Sequence, residues 1–266
     1  MHSGPSSEAG TIAGAESIDL QEGSSNGVLL LHGFGDTPQT LRLLAGELHA
    51  AGYDVTAPLL PGHGRNVQAF TRSRRDDWLG AARDELTRLR SNHPRVAIAG
   101  LSMGGALAAI LAAETPDLRA LVLLAPYMEM PFAYRLASAS HWMWGGFAGP
   151  RAGRSPGSIL DPSERKKNLG YGVYSGRLLY ELWRLCGIAR QALPSITAPT
   201  ILLQSRNDPR IAPRVAERTL AETGSTKKRL IWVEGAGHII TVDYGRDQVF
   251  SEVRGWLDEH VPNNAR

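Results

Sequence analysis

The run over residues 95–104, Arg-Val-Ala-Ile-Ala-Gly-Leu-Ser-Met-Gly, constrains the fold more than any other stretch of the chain. Val96 to Ala99 are apolar without alternation, the pattern of a strand buried on both faces of a sheet. Past Gly104 and Gly105 the sequence reads Ala-Leu-Ala-Ala-Ile-Leu-Ala-Ala-Glu, a run of strong helix formers. A strand therefore stops where a helix starts, and Ser102 stands at the bend.

The spacing Gly100-x-Ser102-x-Gly104 is that of a nucleophile elbow, a sharp strand-to-helix turn that lifts a serine hydroxyl clear of the sheet and strains its backbone. Glycines on either side suit it, because the incoming strand and outgoing helix pass too closely to admit a Cβ. The helix N-terminus favours negative charge developing beside Ser102.

Further buried strands are expected at 28–31, 53–60, 118–125, 200–204 and 227–233. Helical patterns fall between them at 38–51, 76–90, 105–115 and from 212, and a last one ends at 260. This alternation implies parallel βαβ units, a sheet covered on both faces, and a site beyond the carboxyl ends of its strands. Residues 1–22 are set apart as a flexible N-terminal tail, with a short edge strand at 17–21, and residues 23–266 form one α/β domain. The arginine-bearing stretch 65–74 reads as an irregular solvated face.

From 126 to 199 the rhythm breaks into short helical pieces, among them 132–143 and 177–190. Most of the large aromatics and methionines collect in this segment. It reads as a small helical cap whose apolar side chains, with Met130, Trp142 and Phe147 as candidates, line a pocket over the serine. A separate small core is the other explanation for them.

Two partners for Ser102 follow later strands. Asp208 lies in Ser-Arg-Asn-Asp-Pro after the strand at 200–204, and His238 lies in Glu-Gly-Ala-Gly-His after the last strand. In the order Ser102, Asp208, His238, the histidine can take the serine proton and return it to a leaving group while the acid fixes its tautomer. Glu129, Glu234 and Asp243 are rival acids, with Asp243 placed to cap or steady the histidine loop. His63, among glycines, reads as loop structure. The glycine-rich loop His32-Gly33-Phe34-Gly35-Asp36 follows the first buried strand, so the backbone N–H groups of Phe34 and Met103 form a candidate oxyanion hole.

Composition removes other classes. Lys and Arg number 29 against 26 Asp and Glu, and a net charge of +3 is too slight to point to nucleic acid. Cys186 is the single cysteine, which excludes an intrachain disulfide and leaves it a packing role. The N-terminus shows no basic and apolar leader pattern, and no apolar run reaches about 18 residues. A soluble, cytoplasmic protein is expected, without stable membrane insertion, as a monomer or small homo-oligomer.

With these residues in place the chain resembles the α/β-hydrolase fold family, and within it the small bacterial carboxylesterases and monoacylglycerol lipases. The resemblance runs from about residue 27 to the C-terminus. It rests on Leu29-Leu30-Leu31-His32-Gly33-Phe34, Pro61-Gly62-His63-Gly64, Gly100-Leu101-Ser102-Met103-Gly104-Gly105, Ser205-Arg206-Asn207-Asp208-Pro209, and Gly237-His238 followed by Asp243-Tyr244. It implies a mostly parallel sheet of six or seven strands, since the tail leaves little room for the first strands of the eight-stranded form. It implies Ser102, Asp208 and His238 as a triad, Phe34 as an oxyanion donor, and hydrolysis of short-to-medium acyl esters or monoacylglycerols without metal or organic cofactor. The same fold also carries serine hydrolases of amide, peracid and carbon–carbon bonds. A binding protein that had lost its chemistry would show a disrupted triad, and none of the three positions is disrupted.

Overall fold

The apolar runs read as strands assemble, in the computed structural model, into one sheet; the structure describes residues 10–140, 151–152 and 156–262. In chain order the strands are β1 (Ile18–Leu20), β2 (Asn26–Leu31), β3 (Asp54–Ala57), β4 (Arg95–Leu101), β5 (Ala120–Leu124), β6 (Arg151–Ala152), β7 (Val173–Tyr174), β8 (Thr200–Ser205) and β9 (Lys228–Val233). The helices among the described residues are α1 (Arg42–Ala50), α2 (Val67–Arg72), α3 (Arg75–Asn92), α4 (Met103–Ala113), α5 (Phe132–Ala139), α6 (Pro162–Lys167), α7 (Gly176–Ala192), α8 (Pro213–Glu222) and α9 (Arg246–His260). The main sheet has seven strands in the order β1-β3-β2-β4-β5-β8-β9, parallel throughout except where β1 runs antiparallel to β3. This is the α/β-hydrolase fold.

Successive side chains of a strand point to opposite faces, so the central strands feed two cores. Leu29 and Leu31 of β2, Ile98 of β4 and Leu121 and Leu123 of β5 pack with α3, α4 and α7. Val28 and Leu30, Ala97 and Ala99, and Val122 and Leu124 pack with α1 and α9 on the other face. Burial on both faces is why these strands show no polar alternation. Parallel register then brings the loops after β2, β4, β8 and β9 to one edge of the sheet.

Four local differences from the sequence reading have physical reasons. The sheet begins inside the segment set apart as a tail: β1 pairs with β3, Ile12 N–H donates to Gly64 O at 2.7 Å, and Ala15 is buried. The short edge strand expected at 17–21 is this β1; what differs is that long-range backbone bonds and the buried Ala15, which a local run of Ser, Gly and Ala does not show, tie the residues before it to the domain. The strand expected over 53–60 ends at Ala57 because Pro58 has no N–H for a ladder. Within 65–74 lies α2, capped by Asn66 Oδ1 accepting from Ala69 N–H at 2.8 Å and burying Phe70. The cap contains a two-stranded antiparallel pair, β6 with β7, besides its helices. Among the described residues no helix is long and apolar enough to cross a membrane.

Candidate active site

Ser102 stands between β4 and α4 at φ 56° and ψ −115°, a left-handed backbone rarely held by a side chain other than glycine's absence of one. The bend is over-determined. Ser102 N–H donates to Leu124 O at 2.9 Å, and Ser102 O accepts from Gly105 N–H at 3.0 Å and Tyr127 N–H at 2.9 Å. A Cβ on Gly100 would stand 2.1 Å from Gly104 O, and one on Gly104 would stand 2.0 Å from Leu31 O. The two motif glycines are therefore sites of direct backbone contact between strand, helix and β2.

His238 and Asp208 converge on Ser102 from the loops after β9 and β8. His238 Nε2 lies 2.8 Å from Ser102 Oγ, and His238 Nδ1 lies 2.8 Å from Asp208 Oδ2. The carboxylate can only accept, so Nδ1 carries the proton and Nε2 is left to accept from the serine hydroxyl. Asp208 is saturated with donors. Oδ1 accepts from Arg210 N–H at 2.7 Å and Ile211 N–H at 3.1 Å, and Oδ2 also accepts from Gln204 Nε2 at 2.8 Å. Burial pushes this carboxyl up, but the imidazole of His238 and these donors outweigh it and hold the group below the usual carboxylate range.

The loop His32 to Asp36 lies against the elbow, since a Cβ on Gly33 would meet Ser102 Cβ at 3.4 Å. Phe34 sits edge-on to Phe70 and Trp78, with ring centroids 5.0 and 5.9 Å apart. His32 is buried, and its pKa is lowered to about 4, burial outweighing a bond to Gly33. Its Nε2 accepts from Leu60 N–H at 3.1 Å, so Nδ1–H donates to Gly33 O at 3.0 Å. Gly33 O also accepts from Asp36 N–H at 3.2 Å. That carbonyl belongs to the same planar peptide as Phe34 N–H, so fixing one end aims the other. Met103 N–H is the first of α4, among the donors that a helix leaves without an internal acceptor.

The other candidates fall elsewhere. Asp243 is fully buried and accepts four backbone N–H groups, with no bond to His238. Glu129 pairs with Arg218. Glu234 is exposed, and its N–H donates to Gln248 Oε1 at 3.3 Å. His63 is buried edge-on to His32 and beside Phe70, a packed histidine. Met130 is buried in the core on the α4 and α7 face, whereas Trp142 and Phe147 lie outside the described residues. Cys186 is buried, its thiol donating to Tyr127 O at 3.0 Å and pushed up to about 12 by burial. Sequence reasoning missed Gln204, Arg210 and Ser158, which brace the acid and histidine loops. Isolated polar residues at a strand end, in a turn or in a loop carry no periodic signal.

Residues 24–244 match the family described as serine aminopeptidase, S33. The chain is similar to the thermostable monoacylglycerol lipase of Bacillus sp. (strain H-257), 29% identical over 250 residues that cover 94% of this chain and 97% of that protein. It is 28% identical over 243 residues to the carboxylesterase of Bacillus subtilis (strain 168), covering 90% of this chain and 94% of that one. Among solved structures it superposes with TM-score 0.86 on one of the metagenome-derived lipolytic enzymes LipS and LipT, at 28% identity over 94% of this chain and 100% of that one.

Proposed function

The chain belongs to the serine aminopeptidase, S33 family and is a serine hydrolase, and on that premise we propose that it cleaves short-to-medium acyl esters or monoacylglycerols through an acyl-enzyme on Ser102. The observation that carries this reading is the unbroken relay Ser102 Oγ, His238 Nε2, His238 Nδ1, Asp208 Oδ2, both of its hydrogen bonds 2.8 Å long. The ester class is supported by similarity to a monoacylglycerol lipase and a carboxylesterase.

In the proposed reaction Ser102 Oγ attacks the ester carbonyl carbon as its proton passes to His238 Nε2. Phe34 N–H and Met103 N–H donate to the oxygen that becomes negative. The carbon–oxygen bond to the alcohol then breaks, and His238 returns the proton to the leaving alkoxide. A water molecule, deprotonated by the same imidazole, then attacks the acyl carbonyl carbon, the bond to Ser102 Oγ breaks as His238 returns the proton to Oγ, and the carboxylic acid leaves. Asp208 keeps Nδ1 protonated and faces the transient imidazolium. The scheme needs neither metal nor organic cofactor.

A fluorophosphonate probe tests the nucleophile. One label is expected, on the peptide holding Ser102, and Ser102→Ala should lose both label and activity; a label on another serine would overturn the assignment. A panel of p-nitrophenyl esters, monoacylglycerols and p-nitroanilides tests the bond class. Ester turnover well above anilide turnover is expected, and the reverse order would make the chain an amidase.

A further inference from the structure

A short piece of the cap, residues 157–161, is built into the scaffold of the histidine and acid loops, and we propose that Asp243 is a positioning residue that pins it there and so sets the placement of His238. Two observations meet at this clasp, and each stands without the other.

The first is the bonding of the carboxylate. Asp243 Oδ2 accepts from Gly237 N–H at 2.7 Å and Leu160 N–H at 2.8 Å, and Oδ1 accepts from Asp161 N–H at 2.9 Å and Tyr244 N–H at 3.0 Å. Two of these donors belong to the histidine loop and its continuation, two to the cap. A carboxylate without solvent exposure is expensive to bury, and four donors of this kind are what offset the cost. Gly237, which supplies one of these donors, directly precedes His238.

The second is the backbone contact beside it. Ser158 O accepts from His238 N–H at 3.0 Å and from Ile239 N–H at 2.9 Å. A Cβ on Gly237 would stand 2.1 Å from Gly157 O, so only glycine lets the two segments lie this close. The clasp also reaches the acid loop. Ser158 Oγ accepts from Arg210 Nε at 2.8 Å, and Arg210 N–H donates to Asp208 Oδ1 at 2.7 Å. Both partners of the proposed relay are thus tied to residues 157–161, although that segment supplies no reacting atom.

The inference rests on the reading of Ser102, Asp208 and His238 given above. In Asp243→Asn one oxygen becomes an NH₂ group aimed at N–H donors, so at least one backbone donor loses its acceptor and the clasp loosens. We expect kcat per labelled active site to fall about tenfold to a hundredfold with KM changed less than about twofold, as for a misplaced catalytic group. Because a loosened Asp208–His238 contact stabilises the imidazolium less, the acid limb of the kcat/KM profile should move to lower pH. Counting sites with the fluorophosphonate probe separates this from mere loss of fold, which lowers the number of sites and leaves their turnover and pH profile alone. Unchanged turnover per site in Asp243→Asn would overturn the proposal while leaving the Ser102 reading intact; failure of the wild-type protein to label on Ser102 would remove the reading itself. Gly237→Ala, which presses on Gly157 O from the other side, should reproduce the turnover and pH effects. Loss of folded protein in both variants would assign the clasp to stability and likewise overturn the proposal.

Discussion

Asp208 holds its four donors on two oxygens, and this leaves an amide in its place nowhere to put its NH₂ group. Turned toward His238, the amide makes Nδ1 an acceptor and moves the ring proton to Nε2, where it blocks the serine. Turned the other way, it sets donors against the N–H groups of Arg210 and Ile211. Asp208→Asn should therefore lower kcat by about 10³- to 10⁴-fold with the fold intact by circular dichroism. Near-normal kcat there, alongside an inactive Glu129→Gln, would mean that the acid is misassigned. His32 makes a prediction of the opposite kind, about stability. Its pKa falls from 6.5 in an exposed setting to about 4 in the fold. Between those values the unfolded chain binds the proton and the folded chain refuses it. Stability should climb as pH rises from about 4 to about 6.5 and then level, by about 3 kcal/mol from this residue, with buried His63 adding in the same direction. Urea midpoints measured across pH 4.5 to 7.5 read this directly, and a flat profile would contradict the buried neutral imidazole.

At the scale of elements, what could be read from the sequence was whatever repeated. The apolar runs of β2, β4, β5 and β8 are buried along their whole lengths or nearly so, and α3 carries a stripe from Leu79 to Leu89. Each announced itself by period or by unbroken apolarity. The two residues each of β6 and β7, and α2 with its single buried Phe70, are shorter than any period that could reveal them. Their geometry comes from caps and from neighbours distant in sequence. The cap shows the same limit. Its aromatic richness was visible, its path was not. We expect this segment to select the acyl chain, each methylene buried against an apolar wall being worth about 0.8 kcal/mol, or about threefold to fourfold in kcat/KM until the pocket is full. Trp142→Ala and Phe147→Ala should shift the preferred acyl length while acetate esters are still cleaved. A profile flat from two to twelve carbons, and unmoved by these truncations, would mean that the cap does not contact the acyl group.

Across the whole molecule the two edges of the sheet do different work. Residues 102, 208 and 238 are remote in sequence, yet each follows a parallel strand, buried for β4 and β8 and the half-exposed edge for β9, so the topology that was legible in the strands also brought the candidate site together. The bracing around them was not legible, because it is made of backbone N–H groups that every sequence contains. At the opposite edge, where β3 begins and α3 gives way to β4, the chain is closed by a buried pair. Asp54 Oδ1 accepts from Glu22 N–H at 2.8 Å and its Oδ2 from Ser24 N–H at 3.0 Å, and His93 Nε2 lies 3.1 Å from the same Oδ2. His93 Nδ1 lies 2.9 Å from Leu89 O, so both ring nitrogens face oxygen partners. Burial pushes the Asp54 carboxyl up, but the Glu22 N–H, His93 and Ser24 N–H outweigh it and hold the group low. Its contribution to stability is therefore full above the ordinary value of 3.8 and is lost as pH falls below that. Asp54→Asn puts an NH₂ group among those donors and removes the charge beside His93, which should cost about 3 kcal/mol at neutral pH. The elbow lies at the other end of β4, so kcat should stay within about twofold of wild type at temperatures where the variant is folded. Urea unfolding at pH 7 and ester turnover on the same preparation test both halves. An unchanged midpoint would show that the pair does not hold this edge, and a large fall in kcat with the midpoint unmoved would show that the two edges are coupled rather than separate.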